Sequence, residues 1–266
     1  MDCRPQYPIY IISKGRFEKP LTANIFLQNN LHFYIAVEPQ EYNDYVKSIG
    51  AKYVLKLPFS NLGLGSYPAR NFCWEHSKKN GYKYHWLFDD NIIHWLKWID
   101  GKRKRIKNIK CALTYVEKFT TSKNIDIGGF EEYNFVREIP KKPFKINCHV
   151  YSAMLIKNKL PFRWRLKYNE DVDLCLQVLH NGGSTCSCIY YMANKVSTVE
   201  KMKGGNQDEL YKNNDPKKKL LKAKMLESVW PQYAKTVIRF NRIHHFVDWK
   251  VFSVKQKSTL NSKKKS

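Results

Sequence analysis

The sequence predicts an α/β fold, a doubly wound sheet flanked by helices, and three observations predict it. Short apolar runs of strand length alternate with stretches of helical spacing over the first hundred residues. Polar residues follow several of these runs, at the strand ends where such sheets bind ligands. The third observation is an acidic cluster, Asp89-Asp90-Asn91, that closes the apolar run Tyr84 to Phe88. A polar turn after a strand is the bland meaning of that triplet. Its oxygen donors also suit a hard divalent cation, Mg²⁺ or Mn²⁺, of the kind that stays partly open to substrate phosphates.

Taken in order, Tyr7 to Ser13 reads as a buried strand and Ser13-Lys14-Gly15-Arg16 as the turn leaving it. Leu21 to Asn30 is a first helix. Phe33 to Val37 is a second strand ending at Glu38-Pro39, and Tyr53 to Leu57 a third ending at Pro58. Between them Gln40 to Ile49 is helical, with Gly50 as its stop. Gly63-Leu64-Gly65-Ser66-Tyr67-Pro68-Ala69-Arg70-Asn71 opens a helix to about Lys79. Glycines before a helix start present amides to phosphates in some proteins, although an ordinary loop is the commoner meaning. His149 to Ile156 and Ile189 to Met192 are further strands. Asn169-Glu170-Asp171-Val172-Asp173 starts a helix, with Asn169 as cap and acids suited to its positive end.

Charge separates the chain from an average enzyme. With 47 Lys and Arg against 23 Asp and Glu, the net charge is +24, which favours a polyanionic partner such as nucleic acid or an acidic membrane surface. Lys97 to Lys110 holds seven basic residues and one acid and reads as a solvated loop. From Pro216 onward there are 14 Lys or Arg among 51 positions against 2 acids, a balance of +12 and half the total. The expected organisation is a catalytic domain over 1–215, a basic helical extension over 216–254 and a disordered tail over 255–266. In the extension, Lys217, Lys218, Lys219, Lys222 and Lys224 form a basic face, and Leu220, Leu221, Met225 and Val229 pack inward. The seven cysteines are scattered without paired CxxC units and read as unbridged packing residues of a reducing cytoplasm. No signal pattern or membrane span is expected.

These segments together resemble a GT-A fold glycosyltransferase, a Rossmann-like mixed sheet flanked by helices. The resemblance rests on Gly63 to Asn71, on Leu87-Phe88-Asp89-Asp90-Asn91 and on Asn169 to Leu174, and spans roughly the first 200 residues. It implies a nucleotide-sugar donor, a UDP-sugar, whose diphosphate is held through Mn²⁺ or Mg²⁺ at Asp89, Asp90 and Asn91. It further implies Asp171 as general base with Glu170 beside it, and Arg70 and Asn71 near the donor. Ser13, Lys14, Gly15, Arg16 and Glu38 then line the nucleotide pocket. Lys203 belongs to a loop, Lys203-Gly204-Gly205-Asn206, over the phosphates.

More narrowly, the chain resembles the TET-associated glycosyltransferases of phages, which attach sugars to hydroxymethylated pyrimidines in DNA. That likeness implies a 5-hydroxymethylpyrimidine acceptor in duplex DNA, 5-hydroxymethylcytosine favoured, in the cytoplasm of an infected bacterial host. Lys102, Arg103, Lys104 and Arg105, with Lys217, Lys218 and Lys219, are the expected DNA contacts. The competing expectations are transfer to a cell-surface lipid or polysaccharide, with Trp230, Trp249 and Phe246 on an anionic membrane, and an inactive DNA-binding module.

Overall fold

A computed structural model describes residues 3–196, 204–205, 216–239 and 241–253, so Lys203 and the expected tail at 255–266 lie outside the described residues. The chain runs β1 (Ile9–Ile12), α1 (Leu21–Gln28), β2 (Tyr34–Val37), α2 (Tyr42–Ile49), β3 (Val54–Lys56), α3 (Tyr67–Lys79) and β4 (Tyr84–Asp89). It continues as β5 (Ile92–Ile99), β6 (Lys102–Ile106), α4 (Lys110–Ser122), β7 (Ile127–Glu132), β8 (Phe144–Ile146), β9 (Ala153–Lys157), α5 (Glu170–His180) and β10 (Thr185–Lys195). Helix α6 (Pro216–Val229) and a hairpin of β11 (Ala234–Arg239) and β12 (Arg242–Val247) follow.

One mixed sheet has the order β3-β2-β1-β4-β9-β7-β10-β5-β6, with β8 paired to β10. Its first four strands are parallel, and β9 runs antiparallel to both β4 and β7. The predicted mixed α/β sheet with flanking helices is therefore the observed one. Register then fixes the site. Ile12 lies opposite Ala36 on one side and Asp89 on the other, so the residues after β1, β2 and β4 leave the sheet at one level.

Both faces of the sheet are covered, which is why Trp86, Leu87 and Phe88 run on as consecutive apolar residues in β4 and do not alternate. Trp86 and Phe88 join the core on one face, and Leu87 joins Tyr10, Met154 and Trp164 on the other. Helix α5 is buried on two sides for a related reason. Leu174, Cys175 and Val178 pack on the sheet, while Val172, Leu176 and Leu179 pack against Leu226, Trp230, Ala234 and Val247 of the C-terminal unit.

Four expectations are corrected here. The basic run is not a loop: Lys102 to Ile106 is edge strand β6, antiparallel to β5. Its connection is Asp100-Gly101, with φ 51° and 71°, the pair of positive values a two-residue type I′ hairpin turn requires. The C-terminal unit is a helix followed by a two-stranded hairpin, not helical throughout. On α6, Leu220 and Leu221 are exposed, and Ala223 and Leu226 face inward instead. Finally, Cys3 and Cys111 are disulfide-bonded, joining the start of the described chain to α4, so the seven cysteines are not all unbridged. Cys186 and Cys188 are buried packing residues, as expected.

Candidate active site

The side expected to hold the donor is built by the turn after β1, the end of β4 and the first turn of α3. Ser13 Oγ lies 2.6 Å from the Tyr45 hydroxyl and donates to Asp90 Oδ2 at 2.5 Å. Arg16 is buried and also pairs with Asp90. Burial pushes the Asp90 carboxyl upward, and Arg16 and Ser13 offset only part of that. Lys14 Nζ donates to Glu38 Oε1 and to Asn61 Oδ1, each at 3.1 Å, and the Gly15 amide donates to Glu41 Oε2 at 2.8 Å. Gly204 and Gly205 sit directly on this turn. Arg16 Nη2 donates to the Gly204 carbonyl at 3.1 Å, and the Gly205 amide to the Lys14 carbonyl at 2.7 Å. A Cβ on Gly204 would stand 2.5 Å from the Gly15 oxygen, so only glycine permits this approach. Gly204 and Gly205, the two described residues of the expected covering loop, are thus seated on the turn.

Arg70 is the centre of the site. Its Nη2 lies 2.8 Å from Asp89 Oδ1 and 3.2 Å from Glu170 Oε1, and its Nε donates to Ser66 Oγ at 3.0 Å. Ser66 Oγ in turn donates to Glu170 Oε1 at 2.7 Å, and the guanidinium lies 4.8 Å over the Trp164 ring. Burial alone would lower the Arg70 pKa, but Asp89 and Glu170 reverse the direction and keep it charged. Asn71 does not face the donor. Both ends of its amide are committed to the Trp164 main chain, at 2.7 and 3.1 Å, which holds that ring beneath Arg70.

On the side expected to meet the acceptor, Asp171 Oδ2 lies 3.1 Å from His149 Nε2. The contact is within ion-pair distance but out of hydrogen-bond alignment. Burial would raise the Asp171 carboxyl, yet His149 first, then Arg70 and Lys195, hold it well below the usual carboxylate range. Glu170 moves the other way, raised by burial and by Asp171 against the pull of Arg70. Adjacent carboxylates with opposed shifts are the pattern expected where one is kept ionised. His149 is stacked against Trp249 at 5.7 Å and 3° between planes, with Tyr151 at 3.8 Å. Asn169 does not cap α5 with its side chain. It has φ 55°, and its Nδ2 donates to the Lys222 carbonyl at 2.9 Å, tying the helix start to α6.

His149, Lys195 and Trp249 belong to the site and were not expected from sequence. Lys195 Nζ donates to Ser152 Oγ at 2.6 Å and lies 3.8 Å from Glu132. The three come from separate elements, and no local spacing links them to Asp171. The expected DNA contacts lie elsewhere: Lys102, Lys104 and Arg105 are exposed on β6, and Lys217 is exposed on α6 with Lys218 and Lys219 half-buried beside it. Arg103 is turned in, donating to the Tyr133 and Val136 carbonyls at 3.1 and 3.0 Å.

Among the described residues, no three His, Cys, Asp or Glu side chains form a metal-binding group. Two members of the expected set Asp89, Asp90 and Asn91 are engaged by other groups. Asp90 is bound to Arg16 and Ser13, and Asn91 Nδ2 donates to the Val196 carbonyl at 2.8 Å. Asp89 alone fits: its side chain is 24% exposed and only Oδ1 meets Arg70. One carboxylate completed by substrate phosphates is an ordinary Mg²⁺ arrangement.

Among solved structures, the chain is similar to a candidate nucleotide-diphospho-sugar transferase from Desulfovibrio desulfuricans G20, with 11% identity over 64% of this chain and 75% of that one and a TM-score of 0.35. No curated protein matches the sequence. The family model of the TET-associated glycosyltransferases matches residues 7–205, from β1 through the Gly204–Gly205 contact, and the chain belongs to that family of transferases.

Proposed function

We propose that the protein transfers a sugar from a UDP-sugar to the hydroxymethyl group of a 5-hydroxymethylpyrimidine, 5-hydroxymethylcytosine first, in phage duplex DNA within an infected bacterial host. The observation that carries this is the Arg70 cluster. It brings a donor-side carboxylate, Asp89, and an acceptor-side one, Glu170, onto one buried guanidinium, with Asp171 the next residue along α5, inside the region matching the family. Net charge of +24 supports a polyanionic acceptor.

In this reading Arg70, Lys14 and Arg16 surround the donor's diphosphate, and their positive charge stabilises the charge that builds as the nucleotide leaves. A divalent ion at Asp89 would add Lewis-acid stabilisation of the same oxygens. Asp171, kept ionised by His149, accepts the acceptor hydroxyl proton as the oxygen attacks the anomeric carbon. Glu170 holds Arg70 and Ser66 in place. The membrane reading loses two of its three aromatics, because Trp230 is buried and Trp249 is stacked on His149, and keeps only the exposed Phe246. No helix among the described residues is long and apolar enough to cross a membrane.

Mass spectrometry of digested DNA, after incubation of hydroxymethylated duplex with a panel of UDP-sugars, tests the reading. A sugar-sized mass increase on the modified base is expected, and its absence with every donor would sink it. In the same assay Asp89→Ala and chelation should each abolish transfer, and full turnover in excess EDTA would remove the metal. Asp90→Ala is expected to lower the melting temperature as well, because it strips the carboxylate from buried Arg16. Neutralising the exposed Lys102, Lys104 and Arg105 together, and leaving the inward-turned Arg103, should flatten the salt dependence of duplex binding, by roughly 0.9 in log–log slope for each phosphate that the variant leaves unneutralised. Donor hydrolysis should stay unchanged, and an unaltered salt slope would remove β6 from the interface.

A further inference from the structure

The β11–β12 hairpin is a separate two-stranded ribbon whose faces differ. Cross-strand register pairs Lys235 with Phe246, Val237 with His244 and Arg239 with Arg242 on one face. The opposite face carries Ala234 with Val247, Thr236 with His245 and Ile238 with Ile243. On that second face the base of the hairpin is anchored. Ala234 and Val247 are buried against α5, and Thr236 Oγ1 donates to Glu227 Oε2 of α6 at 2.6 Å.

One rung further, His245 feels the charge of Asp171 and of His149. Burial lowers its pKa to about 4, with Asp171 opposing. Trp249, two residues past β12, stacks on His149, itself 3.1 Å from Asp171, so the hairpin is rooted beside that carboxylate and reaches out to Ile238. That side chain is 77% exposed, more than any other large hydrophobic residue described. It is flanked by a cationic face of Lys235, Arg239 and Arg242, with the Arg239 guanidinium 4.9 Å over the Phe246 ring.

An apolar tip beside cationic side chains is matched by a polyanion with an apolar interior, which describes base-stacked DNA. Two-stranded ribbons enter DNA grooves, and apolar side chains pry base steps apart. We infer that the β11–β12 hairpin docks in a groove of duplex DNA beside Asp171, and that Ile238 enters the stack in place of the base drawn into the site. The inference rests on the reading that the acceptor is a base in duplex DNA. Flipping a paired base costs a few kcal/mol, and a wedge lowers that cost only where the base is paired.

The test compares one hydroxymethylated base in three settings: fully paired, opposite an abasic site and in single-stranded DNA. For Ile238→Ala, the ratio of kcat/KM on paired to unpaired acceptor should fall by about tenfold or more relative to wild type. The fluorescence rise of 2-aminopurine next to the target should fall in parallel, with the melting temperature unchanged because the side chain is exposed. Equal ratios for variant and wild type would overturn the wedge while leaving the transferase reading standing. Loss of a wild-type dimer in the variant by sedimentation would overturn it too, making the tip a self-association contact. Transfer by wild type to none of the three DNAs would bring down the acceptor reading and the wedge with it.

Discussion

Asp171→Asn should cut transfer on the order of 10²–10⁴-fold while changing donor affinity little, since a positioned general base contributes about that much. The carboxylate lies within ion-pair reach of His149 and is kept ionised mainly by it. The sign of the pH dependence follows. With its pKa held well below the ordinary range, Asp171 stays charged as pH falls from neutrality, so it gives no acid limb near the usual carboxylate value. His149→Ala removes the strongest lowering influence and lets burial raise the pKa. An acid limb should then move up in pH, an effect that simple loss of packing would not produce. Single-turnover rates and donor titration calorimetry check the first claim. Should Glu170→Gln be inactive and Asp171→Asn active, the roles within the pair are reversed.

The sequence made the sheet legible where local pattern and tertiary environment agree. Strands β1 to β4 are short, mostly apolar and end at or before polar residues, because two helical layers bury both their faces. The edge strand β6 was not legible from hydrophobicity, since an edge beside solvent carries Lys102, Lys104 and Arg105 where a core strand carries aliphatics. Its signal was the Asp100-Gly101 pair, a hairpin turn read there as part of a basic loop. Within the site, acids at strand and helix starts were visible as residue types, but their partners were not. Asp89 and Asp90 are adjacent in sequence, yet β4 ends between two different arginines, one from the β1 turn and one from α3. His149 and Trp249 reach the site only through packing a hundred residues apart, and no spacing announces that.

The Asn169 to Asp173 segment shows the same limit within a single turn, and it supplies the largest expected effect on stability. Asp173 was one more acid at a helix start, but it is fully buried and faces away from Arg70 toward the C-terminal unit. It accepts from Arg165 Nη2 at 2.9 Å and Nε at 3.0 Å, from Gln177 Nε2 at 2.8 Å and from the Trp230 indole at 2.7 Å. Asp173→Ala strands the buried indole N–H and takes one of the two acceptors from the Gln177 amide, which keeps the Arg163 carbonyl, while half-exposed Arg165 turns to water. The expected cost is about 3 kcal/mol, less than for a pair with both partners buried. For a chain of this size that corresponds to a fall of roughly 6–12 °C in melting temperature. Asp173→Asn keeps the shape and should lose less. Amide exchange should accelerate first across α6 and the hairpin, because Trp230 joins them to α5. Duplex binding should weaken with it, while donor hydrolysis at low temperature persists. A variant that melts with wild type, or that exchanges uniformly across both units, would show that Asp173 is not what holds the C-terminal unit beside the catalytic base.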